Sequence, residues 1–164
     1  MQYTPDYFSL KKEIMLPVFV YGTLKKGLSN HFILQGCPYL GEGETYAEHW
    51  MKEYPGGKFP MVFEGDQKNS EKKWQAPIRG EIYMVYPHTI LELDFLEGNG
   101  SLYKRRRTPI HAYQQKFRSE DGQRMLTPTL SCWMYFAGPK SVQANIGQTV
   151  AMTLGPDKKE FYEW

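Results

Sequence analysis

Short apolar runs separated by glycine, proline and polar residues dominate this chain, and the pattern predicts more strands than helices. Residues 17–21 form an apolar run that ends at Gly22, which indicates a buried strand. The stretch 78–86 places its side chains alternately on two faces, which is the period of a strand. Further strands are predicted at residues 39–47, 61–63, 103–117 and 125–137. Gly41 and Gly43 predict an irregularity in the first of these.

Two short helices are predicted between the strands. The first covers residues 31–35 and is closed by Gly36, a residue type that commonly follows a helix end. The second begins at Pro87, where the missing N–H leaves no hydrogen bond unmade. It runs to about Leu96, with Gly98 as the residue after its end.

The remaining segments define the domain and its connections. An Asp-Gly pair within residues 119–123 is a strong hairpin signal between the last two predicted strands. Loops are predicted at residues 52–60 and at the charged, exposed stretch 65–77. Residues 1–16 are interpreted as an N-terminal extension, followed by a single domain over residues 17–164. We therefore predict an α+β fold, a small mixed β-barrel or curved sheet with a few short helices.

Length and charge exclude several classes of protein. A chain of 164 residues fits one domain, and its 41% hydrophobic and 23% charged residues are typical of globular proteins. Lys and Arg number 20 against 18 Asp and Glu, so no strong field favours a nucleic acid or a membrane. A nucleic-acid site would have to use the basic run 104–107 with Tyr103 and Tyr113. A strand would divide that run between two faces, and we predict no such partner.

The number of cysteines and the absence of common catalytic motifs limit the kinds of site that the sequence predicts. Cys37 and Cys132 are too few for a disulfide framework. The sequence has neither the apolar stretch of a signal peptide nor a run near the ~18 apolar residues of a membrane span. A reducing cytoplasm is therefore the predicted location. No Cys-x-x-Cys, His-Glu-x-x-His or Gly-x-Ser-x-Gly motif occurs, so neither a metal, a cofactor nor a serine nucleophile is predicted.

The loop at residues 21–27 is the first candidate binding site. Gly22 and Gly27 have the spacing of a phosphate-binding loop, but Leu28 stands where that motif requires lysine, which disfavours a nucleoside triphosphate. A glycine-containing turn after a strand can still expose consecutive N–H groups that bind a smaller anion such as a carboxylate. The alternative is an ordinary turn in which glycine supplies a positive φ.

Glu97 is the candidate for acid–base chemistry. It lies at the predicted C-terminus of the second helix, where the helix dipole disfavours negative charge, and partial burial would also raise its pKa. A carboxyl group tuned toward neutrality is a useful general acid or base. The alternative is a solvated glutamate at a helix end. Glu81 and Glu92 are rival carboxylates, and Glu81 fits a structural role on its alternating strand.

These segments together resemble the γ-glutamylcyclotransferase-like family. The opening segment 18–27, followed by Asn30 and His31, has the Tyr-Gly-Thr-Leu form of the γ-glutamylaminecyclotransferase (AIG2-like) subgroup. Further matches to the family's central strand, catalytic helix end and later strands lie at residues 79–83, 93–98, 103–105 and 133–135. The resemblance covers roughly residues 17–137, whereas residues 1–16 and 65–77 look like additions.

The resemblance implies a γ-glutamyl(amine) cyclotransferase. The α-amine of a small-molecule γ-glutamyl substrate attacks its own γ-carbonyl, closing 5-oxoproline and releasing a free amine without a cofactor. Residue-by-residue matching makes Glu97 the general acid/base. It assigns the substrate-binding wall to Tyr21, Gly22, Thr23, Leu24, Tyr103 and Tyr135. The alternative is a non-catalytic protein on the same fold that binds a small carboxylate.

Overall fold

The computed structural model describes residues 14–64, 74–113, 117–118, 120–123, 125–126, 128–144 and 148–164. The strands are β1 Leu16–Val20, β2 Tyr39–Thr45, β3 Trp50–Glu53, β4 Pro60–Phe63, β5 Arg79–Val85, β6 Tyr103–Ala112, β7 Phe117–Arg118, β8 Met125–Leu126, β9 Thr129–Ala137, β10 Gln148–Thr149, β11 Thr153–Leu154 and β12 Glu160–Phe161. The helices are a 3₁₀ turn at His31–Leu34, α1 at Pro87–Glu97 and α2 at Pro139–Ala144. Among the described residues, no helix is long and apolar enough to cross a membrane.

A closed barrel forms the centre of the fold, which confirms the predicted α+β class. Its strand order is β1-β5-β2-β6-β9, and β9 closes the barrel by pairing with β1 in parallel. The other neighbouring pairs within the barrel are antiparallel. A smaller sheet of order β10-β3-β4 accompanies the barrel.

Alternate side chains of the barrel strands enter two different apolar clusters. Phe19 of β1 and Met134 of β9 belong to one cluster, whereas Val20 of β1 and Tyr135 of β9 belong to the other. The second cluster also contains Leu93 of α1, so this helix packs on one face of the barrel strands. The alternation follows from the period of two in a strand.

The second predicted helix and the irregular strand are confirmed in detail. Helix α1 begins at Pro87 and ends at Glu97, and Gly98 follows it in the left-handed conformation with φ of 60°. The register of β2 against β5 shifts between Tyr39 and Gly41, at the predicted irregularity.

The prediction that residues 52–60 form only a loop is wrong at its start. Strand β3 covers Trp50–Glu53 and pairs with β4, but Lys52 and Glu53 break the apolar alternation by which short strands are recognised. The first predicted helix is only a 3₁₀ turn of four residues. Residues 65–73 and most of the expected extension 1–16 lie outside the described residues, and β1 begins at Leu16.

The long strand predicted at residues 103–117 is also divided. Strand β6 ends at Ala112, and Phe117 belongs to the separate strand β7. Strands β7 and β8 pair antiparallel across the predicted Asp-Gly segment, where Gly122 has a φ of 70°. Hairpin pairing was thus predicted correctly, whereas the continuity of the first strand was not.

We predict that Gly80→Ala lowers the free energy of unfolding by roughly 1–3 kcal/mol, the usual cost of overpacking. An added Cβ would lie 2.3 Å from the Val20 carbonyl oxygen, so β1 would have to move away from β5. Urea denaturation measures the change. Ser131→Ala, at an exposed position of β9, is the control and should change stability by less than ~0.5 kcal/mol. Equal stability of the two variants would contradict the packing argument.

Candidate active site

The loop that follows β1 is closed by its own hydrogen bonds. The Lys25 N–H donates to the Gly22 carbonyl at 3.0 Å, and the Asn30 N–H donates to the Thr23 carbonyl at 2.9 Å. The Asn30 side-chain amide also donates to Thr23 Oγ1 at 2.9 Å. Asn30 therefore fastens the loop and makes no side-chain cap on the 3₁₀ turn.

Side chains outside the loop hold it in place. The Lys26 N–H donates to Glu81 Oε1 at 2.8 Å, and the Tyr83 hydroxyl donates to the same oxygen at 3.3 Å. His31 Nδ1–H donates to the Leu24 carbonyl at 2.9 Å. Glu81 thus has the structural position expected from its place on an alternating strand.

Consecutive backbone N–H groups of this loop have no partner among the described residues. Within the described part of the chain, the N–H groups of Gly22, Thr23 and Leu24 donate no hydrogen bond. Gly22 and Thr23 are half-buried and Leu24 is buried, and such a run of N–H groups is suited to an external acceptor. Gly22 is needed because a Cβ there would lie 2.9 Å from Pro60 Cγ.

The C-terminal end of α1 is anchored to the barrel through Asp94. Arg105 of β6 donates to both Asp94 carboxylate oxygens, at 2.9 and 3.1 Å. The Tyr135 hydroxyl of β9 donates to Asp94 Oδ1 at 2.5 Å. The Asn99 side chain, just after the helix, accepts a hydrogen bond from the Arg105 N–H at 2.9 Å. These contacts fix the last turn of the helix, on which Glu97 lies.

Glu97 itself has an unusual electrostatic environment. Its side chain is partly buried, and no group in the described residues donates a hydrogen bond to its carboxylate. Burial disfavours the charged form and raises its pKa from 4.5 to about 7. The group can therefore hold or release a proton near neutral pH.

The tyrosines of the site line its wall, and their hydroxyl groups already have hydrogen-bond partners within the protein. Tyr21 donates to the Tyr135 carbonyl at 2.7 Å and accepts from the Val62 N–H at 3.3 Å. Tyr103 donates to the Pro60 carbonyl at 3.0 Å. Burial above all raises the phenol pKa of Tyr21, Tyr103 and Tyr135, and the nearby Glu97 carboxylate adds to the effect. These phenols therefore stay protonated.

A single cavity of about 350 Å³ brings the predicted site residues together. Its wall includes every one of them: Glu97, Tyr21, Gly22, Thr23, Leu24, Tyr103 and Tyr135. The unpaired N–H groups and the unpaired carboxyl group thus share one small space. The rival Glu92 is exposed on the surface of α1.

Sequence reasoning missed the wall supplied by the turn between β3 and β4. Lys58, Phe59 and Pro60 line the cavity. The Tyr54 and Phe59 rings stack at a centroid distance of 4.4 Å, and the Tyr54 N–H donates to the Phe59 carbonyl at 3.0 Å. The Pro55-Gly56-Gly57 segment signals a turn, but nothing local in the sequence connects it to the loop after β1.

The basic run 104–107 does not form a continuous charged surface. Arg105 pairs with Asp94, and Arg106 pairs with Glu64 at 2.8 Å. Arg107 lies over the Trp133 ring at 5.1 Å from its centroid. This division is what alternation along β6 produces, and it gives no support to a nucleic-acid site.

The sequence matches the family model described as "Gamma-glutamyl cyclotransferase, AIG2-like" over residues 18–152. The chain therefore belongs to this family, which confirms the resemblance. Two relatives carry the name "Putative gamma-glutamylcyclotransferase". The Vibrio cholerae protein is 39% identical over 108 residues, covering 62% of this chain and 84% of the relative. The Drosophila melanogaster protein is 31% identical over 128 residues, covering 72% and 67% respectively.

Solved structures share the fold. The crystal structure of a mouse AIG2-like protein has a TM-score of 0.59 at 22% identity, covering 92% of this chain and 97% of the mouse chain. A Pyrococcus horikoshii protein has a TM-score of 0.52 at 21% identity, covering 82% of this chain and 85% of that one. At such identities the likeness supports the architecture alone, and the chemistry must be argued from the side chains.

We predict that Glu97→Gln stabilises the protein at pH 8 and not at pH 4.5. The folded-state pKa of about 7 lies above the ordinary 4.5, so the folded chain binds this proton more tightly than the unfolded chain. The corresponding stability is present below about pH 4.5 and is lost as pH rises to about 7. Removing the charge should recover on the order of 1–3 kcal/mol at pH 8.

Urea denaturation at the two pH values measures this difference. Glu92→Gln, an exposed change on the same helix, should have little effect at either pH. An equal effect of Glu97→Gln at both pH values would contradict the electrostatic account of the site.

Proposed function

We propose that the protein is a γ-glutamyl cyclotransferase that converts a small γ-glutamyl compound into 5-oxoproline and a free amine. One observation carries the proposal. A carboxyl group with a pKa of about 7 shares a cavity of about 350 Å³ with a run of N–H groups that have no partner among the described residues. A proton carrier and an anion-binding loop are the two functions that this reaction requires.

The proposed reaction uses a nucleophile that belongs to the substrate. The α-ammonium of the glutamyl group gives a proton to the Glu97 carboxylate, and the resulting amine attacks the γ-carbonyl carbon. The new carbon–nitrogen bond closes a five-membered lactam. The old amide bond breaks as its nitrogen takes this proton from Glu97. The ring nitrogen still carries one extra proton after the attack, and it passes this second proton through the freed Glu97 carboxylate to the departing amine, which leaves as an ammonium. A group with a pKa near the working pH performs both transfers effectively.

The loop after β1 would hold the charges that the substrate brings. The N–H groups of Gly22, Thr23 and Leu24 are proposed to bind the α-carboxylate or the oxyanion that forms at the γ-carbonyl. Removing one preorganised donor to such an oxyanion typically costs about 2.7–4 kcal/mol of transition-state stabilisation. The cavity wall would also hold the substrate folded, so that the amine lies close to the carbonyl carbon.

The cavity volume limits the substrate class. About 350 Å³ lies near the lower end of the ~300–1,000 Å³ of pockets for small ligands. A γ-glutamyl amine or γ-glutamyl amino acid is therefore favoured as the substrate.

The non-catalytic alternative accounts for less of the site. The loop alone would suffice to bind a small carboxylate. A binding protein gains nothing from Glu97, because an ionised Glu97 would repel the bound anion. A binding protein would hold a γ-glutamyl compound without releasing 5-oxoproline, and the activity test below distinguishes this outcome from catalysis.

We predict that the wild-type protein releases 5-oxoproline from a panel of γ-glutamyl amines and γ-glutamyl amino acids. Glu97→Gln should lower the rate at least about 10²–10⁴-fold, the usual contribution of a general acid or base. Glu92→Gln should retain the wild-type rate because its side chain is exposed on the same helix. Unimpaired turnover by Glu97→Gln would contradict the assigned base, and tight binding without turnover by the wild type would favour the alternative.

The pH profile provides an independent prediction. Only ionised Glu97 can accept the ammonium proton, so kcat/KM of the wild type should fall as pH decreases through about 7. An acidic limb near pH 4.5, the ordinary range of the group, would contradict the proposed environment of Glu97.

A further inference from the structure

We propose that Glu81 is a positioning residue for the loop after β1. By accepting a hydrogen bond from the Lys26 N–H, its carboxylate holds the N–H groups of residues 22–24 in the arrangement that binds substrate. This inference rests on the proposed function, but it concerns a side chain that the proposed reaction does not use. Glu81 does not belong to the described residues that line the cavity, so it acts through the loop and does not touch the substrate.

Glu81 lies beside the point where the loop leaves the barrel. It stands on β5 directly opposite Val20, the last residue of β1. The neighbouring Gly80 packs so closely that an added Cβ would lie 2.3 Å from the Val20 carbonyl oxygen. The two strands are therefore held close together here, and the backbone of Glu81 is a fixed support for the side chain that reaches the loop.

One carboxylate oxygen of Glu81 connects the strand to the loop. Oε1 accepts a hydrogen bond from the Lys26 N–H at 2.8 Å and another from the Tyr83 hydroxyl at 3.3 Å. Tyr83 is two residues further along β5 and lies on the same face of the strand. Burial above all, and then the charge of Glu81, raise the phenol pKa of Tyr83, so its hydroxyl stays protonated and remains a donor. Tyr83 therefore orients the carboxylate that holds Lys26.

The hydrogen bonds of the loop carbonyls set the direction of the loop N–H groups. In a planar trans peptide the carbonyl and the following N–H point in opposite directions. The Gly22 carbonyl, in one plane with the Thr23 N–H, accepts from the Lys25 N–H at 3.0 Å. The Thr23 carbonyl, in one plane with the Leu24 N–H, accepts from the Asn30 N–H at 2.9 Å. The N–H groups of Thr23 and Leu24 thus point away from these internal bonds.

Glu81 secures the part of the loop that closes this turn. Lys25 donates to the Gly22 carbonyl, and the N–H that Glu81 accepts belongs to the next residue. Lys26 is exposed, so water would compete for its N–H if the carboxylate were absent. Residues 25 and 26 would then be free to rotate, and the bond that orients the Gly22–Thr23 peptide would weaken.

This role requires a hydrogen-bond acceptor and does not require a negative charge. Both donors to Glu81 are uncharged, and an amide oxygen can accept from them in the same geometry. Glu81→Gln therefore keeps the support, whereas Glu81→Met has similar length and lacks the oxygen. Glu97 differs in this respect, because a glutamine there cannot carry the proton.

The test measures 5-oxoproline binding by calorimetry and kcat/KM for the best substrate of the γ-glutamyl panel. Glu81→Met should weaken binding and lower kcat/KM on the order of tenfold, the factor for one lost hydrogen bond to a charged group. Glu81→Gln should stay within about threefold of the wild type. Glu42→Met is the matched control, because Glu42 is exposed and lies opposite Glu81 on β2, and it should behave as the wild type.

The pH profile separates positioning of the loop from a general loss of structure. In Glu81→Met the acidic limb of kcat/KM should stay near pH 7, because Glu97 lies on α1 and its burial does not depend on the bond to Lys26. Urea denaturation establishes that each variant is folded. If Glu81→Met does not fold, Tyr83→Phe removes one donor to Glu81 and should weaken 5-oxoproline binding roughly two- to fivefold.

Other outcomes overturn the inference and can be told apart from failure of the proposed function. Wild-type binding and turnover by folded Glu81→Met, or by Tyr83→Phe in its place, would overturn the role of Glu81 alone. Equal losses in Glu81→Gln and Glu81→Met, or a displaced acidic limb, would also overturn it. Absence of 5-oxoproline formation by the wild type would overturn the proposed function, and the binding measurement would still decide whether Glu81 supports the loop.

Discussion

The ion pair between Asp94 and Arg105 fixes the end of α1 against the barrel, and the position of Glu97 depends on it. Asp94 and Glu97 lie three residues apart on one helix, which brings them onto neighbouring positions. Asp94 accepts two hydrogen bonds from Arg105 and one from Tyr135, so its charge is well compensated. Glu97 has no such partner among the described residues, and burial therefore acts on it unopposed. One carboxylate anchors the helix, and the other is left available for a proton.

The site combines two features that lower stability in an empty protein. Ionisation of an uncompensated, partly buried carboxyl group lowers the stability of the protein. The loop N–H groups, which have no acceptor among the described residues, lack the hydrogen bonds that folding normally provides. Both features would be complementary to the proposed γ-glutamyl substrate, which brings a proton on its amine and negative charge on its carboxylate. The loop itself is held in place by hydrogen bonds with Glu81, His31 and Asn30. Unfavourable interactions of this kind, confined to one cavity, are typical of functional sites.

The sequence correctly predicted the structural features that depend on the conformation of a single residue. Pro87 and Gly98 mark the ends of α1, and Gly41 marks the irregularity of β2, because each depends on the conformational range of one residue. Glu97 was identified as a candidate because the helix end is readable from the sequence. The value of its pKa was not, because burial depends on which distant segments cover it.

The parts that sequence reasoning missed depend on contacts between distant segments. Strand β3 is short and carries charged residues, and it is defined by pairing with β4. The partnership of Asp94 with Arg105 and the place of Lys58 at the cavity arise only when α1, β6 and the β3–β4 turn meet. The family resemblance had already assigned the loop after β1 and Glu97 to one site. It carried no information about the turn between β3 and β4.

The account depends most directly on the charge state of one carboxyl group. Nuclear magnetic resonance of the ¹³C-labelled Glu97 carboxyl carbon, titrated with and without 5-oxoproline, observes that group itself. We expect a midpoint near pH 7 in the free protein and a displaced midpoint when the product occupies the cavity. A midpoint in the ordinary range near pH 4.5, unaffected by 5-oxoproline, would contradict the account.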